Sequence, residues 1–121
     1  MDHGIYIGID AVEIDRFTHF HSYTDYKLRR VFTSQEIHDA TKNGALCPSR
    51  LATRFAIKEA TFKALSQIGT HIPFLTLCRR AWIMGRPPRL YLLDHPEFYT
   101  SISISHTHTT AVATVLILTK Q

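Results

Sequence analysis

The sequence predicts an α+β fold in which helices pack on a mostly antiparallel sheet. At the N-terminus, the run GIYIGID (residues 4–10) alternates in the manner of a half-buried strand. Helical spacing and helix-start signals fill the middle of the chain, and strand patterns return after Gly69. One strand, then helices, then antiparallel strands is the element order of an α+β domain.

The first strand places Ile5, Ile7 and Ile9 on one side and Tyr6, Gly8 and Asp10 on the other. We expect Asp10 to end this strand. With Glu13 three residues later, Asp10 resembles the start of a capping box. The stretch AVEIDRFTHFHSY (residues 11–23) is therefore predicted to be helical.

The run DYKLRRVFTSQEIHDATKN (residues 25–43) is predicted to form a helix, a break and a second helix. Thr33 or Ser34 would cap the second helix, with Glu36 in its first turn. GALCPSR (residues 44–50) is then a loop that leads into a long helix containing RFAIKEATFKAL (residues 54–65).

Two stripes run along the long helix when its residues are projected at about 100° each. Leu51, Phe55, Phe62 and Leu65 form the predicted core stripe, and Ala52, Ala56, Glu59, Ala60 and Lys63 form the second stripe. An ordinary interpretation of the second stripe is an exposed i,i+4 pair of Glu59 and Lys63. Alternatively, its small side chains would let another chain or a ligand approach the helix backbone.

Strands are predicted for the rest of the chain. FLTLCRRAWIM (residues 74–84) and RLYLL (residues 89–93) flank the turn GRPP, which joins them in a hairpin. An irregular link, DHPEFYT, precedes two strands in SISISHTHTTAVATVLIL (residues 101–118). Ile102 and Ile104 are predicted to point inward, and the apolar segment 111–118 is predicted to be a central strand.

Length and composition predict one domain, residues 1–121, because a chain with 45% hydrophobic residues can bury a substantial core. No apolar run approaches the roughly 20 residues of a membrane span. The N-terminus carries acids where a signal peptide needs basic residues, so we expect a cytoplasmic protein. Cys47 and Cys78 match no disulfide or zinc spacing and are predicted to be free thiols, with Cys78 half-buried.

A formal charge of +4 and an isoelectric point of about 9.3 favour an anionic partner: nucleic acid, a phosphorylated small molecule or an acidic protein. The arginines occur in small groups, Arg29–Arg30, Arg79–Arg80 and Arg86 with Arg89, so no dense basic face is predicted. A nucleic-acid-binding module is one alternative function, but it needs such a face. A metal enzyme built on His106 and His108 is another, although no third nitrogen or sulfur ligand follows at a suitable spacing.

Four pieces of the sequence carry groups suited to phosphate chemistry. They are Asp10, Glu36, the helix with Arg54, Lys58, Glu59 and Lys63, and the Ser105–His106 pair. Carboxylates are the ligands that Mg²⁺ prefers, and lysine and arginine bind phosphate oxygens. Each group also has an ordinary structural explanation, such as a helix cap, a helix-dipole contact or a surface histidine. Spacing alone does not bring them together.

Four blocks of the sequence are similar to one known family. IGIDAVEIDRF, FTSQE, RFAIKEATFKAL, and SISISHT followed by AVATVLI occur in the family's order and span residues 5–118. On these blocks the chain resembles the holo-[acyl-carrier-protein] synthases, the small-chain 4′-phosphopantetheinyl transferases. The resemblance implies a 4′-phosphopantetheinyl transferase-like fold, with helices packed on a mostly antiparallel sheet. It also implies transfer of the phosphopantetheine arm of coenzyme A to a serine of apo acyl carrier protein, in fatty acid biosynthesis, with release of adenosine 3′,5′-bisphosphate. A relative that binds carrier protein without catalysis remains an alternative.

The resemblance also implies roles for particular residues. Asp10 and Glu59 align with ligands of Mg²⁺, and Glu59 would also help to deprotonate the serine. Lys63 would bind phosphate oxygens of coenzyme A as a second catalytic residue, and the alanines of the second stripe would admit the pyrophosphate. The other coenzyme A contacts would be Arg54, His106, Lys58 as a weaker candidate, and Pro87 with Pro88 at the adenine.

For partners, the resemblance implies carrier-protein contacts at Arg16 and at Arg29 or Lys27. It implies a homotrimer with coenzyme A bound between neighbouring chains, and it implies neither nucleic acid nor membrane as a partner. The chain departs from the family at SQIGTHIPFLTL, where members have a more glycine-rich loop. It departs again at DHPEFYT, which is short where many members have a helix.

Overall fold

A computed structural model provides the structure of the chain and describes residues 4–20 and 25–119. The strands are β1 (Gly4–Glu13), β2 (Thr41–Lys42), β3 (Ala45–Leu46), β4 (Ala81–Met84), β5 (Arg89–Leu92), β6 (Tyr99–His106) and β7 (Thr110–Thr119). The helices are α1 (Tyr26–Val31), α2 (Ser34–Asp39), α3 (Pro48–Ile68) and α4 (Phe74–Arg80), with a short 3-10 helix at Ile14–Phe17.

The main sheet has three antiparallel strands in the order β1-β7-β6. β7 is the central strand, as its apolar sequence predicts, and it pairs with β1 from Gly4↔Thr119 to Glu13↔Thr110. β2–β3 and β4–β5 form two separate hairpins, and the second contains the predicted turn at residues 85–88. Helices on an antiparallel sheet confirm the predicted α+β class.

The long helix α3 lies against the inner face of β1 and β7, and its alanines make this contact possible. Ala52, Ala56, Ala60 and Ala64 recur at every fourth position and are fully buried. A Cβ atom added to Gly8 of β1 would lie 1.8 Å from the backbone carbonyl oxygen of Ala60. The prediction that the alanine stripe admits a ligand is therefore wrong, because the sheet occupies that space.

The predicted core stripe of α3 is only half correct. Leu51 and Leu65 are buried, whereas Phe55 and Phe62 are half-buried at the edge of the core. Both phenylalanine rings meet the ring of Phe74 at the start of α4, with centroid distances of 5.7 and 5.9 Å. These aromatic contacts attach α4 to α3.

β1 is longer than predicted, and Asp10 does not cap a helix. The strand continues to Glu13 because its backbone pairs with β7 along its whole length, which places Asp10 within the strand. Of the helix predicted over residues 11–23, only the 3-10 turn at residues 14–17 is present in the described part. Residues 21–24 lie outside the described residues.

The segment 74–80 is the helix α4 and not the predicted strand. Phe74, Leu77 and Cys78 follow helical i, i+3, i+4 spacing, and the last two are fully buried. Burial raises the pKa of the Cys78 thiol to about 11. Cys47 and Cys78 are both free thiols, as predicted, although Cys78 is more deeply buried than expected.

The opposite face of the main sheet carries exposed apolar side chains. Ile5, Ile7 and Ile9 of β1 are 67%, 52% and 58% exposed. In register with them, Tyr99 of β6 and Leu118 of β7 are also exposed. Among the residues that the structure describes, no helix combines the length and apolar character needed to cross a membrane.

Candidate active site

Three predicted site residues meet where β1 passes under α3. Asp10 lies on the sheet face that α3 covers, paired across the ladder with Ala113. The Lys63 ammonium group donates hydrogen bonds to Asp10 Oδ1 at 3.2 Å and to the carbonyl oxygen of Ile9 at 3.0 Å. Glu59 lies one turn before Lys63 on α3, within the electrostatic reach of Asp10. A strand and a helix thus bring Asp10, Glu59 and Lys63 together.

The electrostatics of Glu59 favour a cation at this point. Burial raises the pKa of the Glu59 carboxyl, and the negative charge of Asp10 raises it further. The positive charges of Lys63 and Arg16 act in the opposite direction. A cation between the two carboxylates would relieve their repulsion and keep both ionised.

The donor set fits magnesium better than a metal held by protein alone. In residues 4–20 and 25–119 no group of three or more histidine, cysteine, aspartate or glutamate side chains is arranged to hold a metal ion. Two carboxylates, Asp10 and Glu59, are therefore the available ligands here. Mg²⁺ is commonly bound through one or two carboxylates, with water and substrate phosphates completing its octahedron.

A second feature is a basic pocket of about 170 Å³ at the other side of α3. Arg54 is only 2% exposed, and its NH2 group donates to the Gly85 carbonyl oxygen at 3.1 Å. Among the described residues, its Nε atom is buried without a hydrogen-bond partner. Arg50, Arg86 and His106 line the same pocket. Three arginines and a histidine around one pocket are suited to bind an anion such as phosphate.

The sequence predicts Arg54 and His106 in this pocket but not Arg50 and Arg86. Arg50 precedes Arg54 by four residues, so helical periodicity alone places it on the same side of α3. Arg86 reaches the pocket because the β4–β5 turn approaches α3, which is a long-range contact that no local pattern reveals. Of the two predicted prolines, Pro88 lines the pocket and Pro87 is exposed in the turn beside it.

The two features open to different sides of α3. Arg54 and Glu59 are five residues apart, which corresponds to about 140° around the helix axis. A single chain therefore assembles Asp10, Glu59 and Lys63 at one place and the Arg54–His106 pocket at another.

Lys58 has a structural role, and the prediction that it binds coenzyme A is contradicted. Its side chain is fully buried. The ammonium group donates to the carbonyl oxygens of Val31 at 2.8 Å and Cys78 at 2.7 Å, and it pairs with Glu36 Oε1 at 2.7 Å. These three contacts use all three of its N–H groups. No donor is left for a ligand.

Glu36 completes this buried network. Thr33 is the cap of α2, one of the two predicted candidates, and Glu36 forms a capping box with it. The second carboxylate oxygen of Glu36 accepts from the backbone N–H of Ile83 at 2.7 Å. The Glu36–Lys58 pair thereby connects α1, α2, α3, α4 and β4. Glu36 is fully buried and serves the fold, not the phosphate chemistry considered from sequence.

The predicted carrier-protein contacts are both on the surface. Arg16 is exposed, and its guanidinium group lies over the ring of Phe55 at 5.0 Å from the centroid. Its charge acts on Glu59, so Arg16 is at the rim of the carboxylate site. Arg29 is exposed in the last turn of α1.

A sequence model of the 4′-phosphopantetheinyl transferase superfamily matches residues 6–115 of this chain. Among curated relatives, the holo-[acyl-carrier-protein] synthase of Staphylococcus epidermidis is 33% identical over 115 residues. The match covers 92% of this chain and 93% of the relative. The synthase of Staphylococcus aureus is 34% identical over 122 residues, covering 97% and 96%.

Solved structures similar to this chain are also holo-[acyl-carrier-protein] synthases. The holo-(acyl-carrier-protein) synthase of Bacillus anthracis, in complex with CoA (3′,5′-ADP), superimposes with a TM-score of 0.72 at 29% identity. The superposition covers 95% of this chain and 96% of that one. The synthase of Helicobacter pylori, in complex with coenzyme A, gives a TM-score of 0.68 at 30% identity, covering 92% and 98%. This chain therefore belongs to the 4′-phosphopantetheinyl transferase superfamily.

Proposed function

We propose that this chain transfers the 4′-phosphopantetheine arm of coenzyme A to a serine of apo acyl carrier protein, in fatty acid biosynthesis. Adenosine 3′,5′-bisphosphate is the second product. The meeting of Asp10, Glu59 and Lys63 beneath α3 carries this proposal, because it supplies two anionic metal ligands and one cation at a single point. The curated relatives are named holo-[acyl-carrier-protein] synthase, which supports the same reaction.

Asp10 and Glu59 are the residues that would hold Mg²⁺. When bound, the ion supplies Lewis-acid stabilisation of the charge that develops on the pyrophosphate oxygens. Asp10 is suited to this role because its side chain is only 16% exposed and the β1–β7 ladder fixes its backbone. The backbone of Glu59 is fixed because the residue lies in the middle of the long helix α3.

Glu59 also serves as the base for the acceptor serine. An ionised carboxylate placed beside the acceptor hydroxyl can take its proton as a general base. The serine hydroxyl gives up its proton, and its oxygen bonds to the phosphorus that bears the pantetheine arm. The bond from that phosphorus to the bridging oxygen breaks, and the electron pair leaves with adenosine 3′,5′-bisphosphate.

Lys63 neutralises the leaving phosphate. Its side chain is 51% exposed, so it can exchange its contact with Asp10 for one with a phosphate oxygen. A fixed positive charge where negative charge develops is the largest contribution that residues of this type make to catalysis.

The basic pocket holds the adenosine end of coenzyme A in this proposal. Arg54 and His106 bind its phosphates, and Arg50 and Arg86 add two further positive charges. The turn with Pro87 and Pro88 lies beside the pocket and contacts the adenine.

We further propose a homotrimer in which coenzyme A spans two neighbouring chains. Support comes from the two sites opening to different sides of α3 and from the exposed isoleucines on the outer sheet face. An apolar surface of this kind is typical of an interface between subunits. Light scattering measures the assembly, and a fully active monomer would contradict it.

Mixed variants test the shared site. Arg54→Gln and Glu59→Gln are each expected to be inactive, and mixing them restores part of the activity because one site of a mixed trimer has both halves intact. Asp10→Ala mixed with Glu59→Ala restores nothing, because these two residues meet within one chain. Restoration by the second mixture alone would contradict this arrangement.

The reaction is tested by chromatography of the nucleotide product. Purified protein, coenzyme A, Mg²⁺ and apo acyl carrier protein are expected to release adenosine 3′,5′-bisphosphate in proportion to the carrier supplied. Omitting the carrier should stop release, and Glu59→Gln is the matched control. Release that does not depend on the carrier would identify a hydrolase instead.

A further inference from the structure

Arginines from two helices gather on one surface of the protein. Arg29 and Arg30 lie in the last turn of α1, and Arg79 and Arg80 lie in the last turn of α4. These pairs are far apart in the sequence, which is why no dense basic face is predicted from it. Lys58 brings them together, because it donates to a carbonyl oxygen at the end of each helix.

The fold does not account for all of this charge. Basic residues often compensate the negative end of a helix dipole, but buried Lys58 already bonds the ends of both helices. Arg80 forms a paired contact with Asp94. Within residues 4–20 and 25–119, Arg29, Arg30 and Arg79 form no salt bridge. Three uncompensated charges on one surface attract an anionic partner.

The shape of the surface is a groove with an aromatic wall. Arg30 and Arg79 line two adjoining depressions of about 320 and 240 Å³ between α1 and α4. Trp82 lines the second one, is 39% exposed, and donates its indole N–H to the Arg79 carbonyl oxygen at 2.9 Å. The Arg30 guanidinium lies over exposed Tyr26 at 5.6 Å. Arginine, tryptophan and tyrosine are the residues enriched at the energetic centres of protein interfaces.

Aromatic contacts lead from the rim of the carboxylate site towards this groove. The charge of Arg16 acts on Glu59, the Arg16 guanidinium lies over Phe55, and Phe55 packs against Phe74, the first residue of α4. Leu75, which is 37% exposed, follows and lines the groove. α4 has seven residues and is about 10 Å long, so Arg79 lies less than about 10 Å along the helix from Phe74.

Resting on the proposed function, we infer that the α1–α4 groove is a second docking site for the carrier protein. Acidic side chains of the carrier enter the groove, and its apolar side chains cover Phe55 and Phe74. There its carboxylates pair with Arg30 and Arg79, and Trp82 covers apolar side chains beside them. This assigns the recognition of the carrier to α4 as well as to Arg16 and Arg29.

The fluorescence of Trp82 tests this directly, because it is the only tryptophan in the sequence. The probe is a tryptophan-free apo acyl carrier protein whose acceptor serine is replaced by alanine, so that it binds without reacting. Titration should change the Trp82 emission. Arg30→Glu and Arg79→Glu should each weaken binding by about tenfold or more, and Arg79→Lys should preserve most of it.

Arg89→Glu is the matched control, since Arg89 is an exposed arginine on β5 outside the groove. It changes the net charge equally and should leave carrier binding within about twofold of the wild type. Steady-state rates should show the same pattern in the KM for carrier, with the KM for coenzyme A unchanged. Circular dichroism confirms that each variant is folded.

The outcomes separate the two proposals. If the wild type forms no holo-carrier, the proposed function fails. If the wild type is active but Arg79→Glu keeps the wild-type KM for carrier, only the docking inference is overturned. Tighter binding of a short single-stranded RNA than of carrier, at equal ionic strength, would also overturn it by assigning the groove to nucleic acid.

Discussion

Replacing Lys58 with methionine tests whether this lysine stabilises the fold or binds a ligand. Methionine retains most of the side-chain volume but removes the ammonium group, so Glu36 is left as a fully buried carboxylate without its cation. The carbonyl oxygens of Val31 and Cys78 also lose their donor. Breaking a buried ion pair from one side costs about 3–5 kcal/mol. Domains of this size have total stabilities of about 5–15 kcal/mol, so Lys58→Met should lose a large fraction.

The assay is thermal unfolding followed by circular dichroism, with Lys63→Met as the matched control on the same helix. We expect Lys58→Met to lower Tm by roughly 10–20 °C. Lys63→Met removes an exposed pair worth about 0–1 kcal/mol, so it should melt within a few degrees of the wild type while losing transfer activity.

Below its melting temperature, Lys58→Met should keep the wild-type KM for coenzyme A. The double variant Glu36→Gln with Lys58→Met should cost less than the sum of the single variants, because the two groups interact. Wild-type stability combined with a raised KM for coenzyme A would refute the structural role and return Lys58 to the binding site.

Three further variants probe the site and the core. Glu59→Gln should reduce kcat by at least about 100-fold in initial-rate assays. The pKa of Glu59 is raised in the folded protein, so ionised Glu59 destabilises the fold at pH values above this folded pKa. Below 4.5, its ordinary value in the unfolded chain, the carboxyl is protonated in both states and has no such effect. Melts of Glu59→Gln should therefore show stability equal to or above the wild type at neutral pH and no gain in acid; a marked loss at neutral pH would contradict this. Gly8→Ala should destabilise the fold by about 3 kcal/mol in urea titrations, because its Cβ would meet the Ala60 backbone. Gly4→Ala should cost less, because its Cβ would meet only the movable Tyr6 ring. Arg16→Glu should raise the KM for carrier protein and its salt dependence, and a rise in the KM for coenzyme A alone would argue against a carrier contact.

The sequence contains the signals for much of the fold. β1 and β7 are predictable because alternation and a long apolar run reflect which faces are buried. The α2 start is predictable because Thr33 and Glu36 form a local capping box that needs no tertiary contact. At the candidate active site, Asp10, Glu59 and Lys63 are identified by resemblance, and the β1–α3 packing explains why they meet.

What the sequence does not reveal depends on long-range contacts. The segment 74–80 has too few residues for its periodicity to distinguish a buried strand from a helix. The burial of Lys58 depends on partners in three other elements, and a lysine is otherwise expected at the surface. In the sequence, Ala60 is equally compatible with a helix face that meets a ligand and with one that meets a sheet. Only the close approach of Gly8 in the structure identifies the sheet contact.

Intact-mass measurement of apo acyl carrier protein tests the central claim most directly. The carrier is incubated with this protein, coenzyme A and Mg²⁺, in parallel with a carrier whose acceptor serine is replaced by alanine. We predict that the normal carrier gains the mass of one phosphopantetheine group and that the alanine variant gains nothing. An unchanged mass of the normal carrier, or an equal gain on the alanine variant, would contradict the claim that this site transfers the arm to serine.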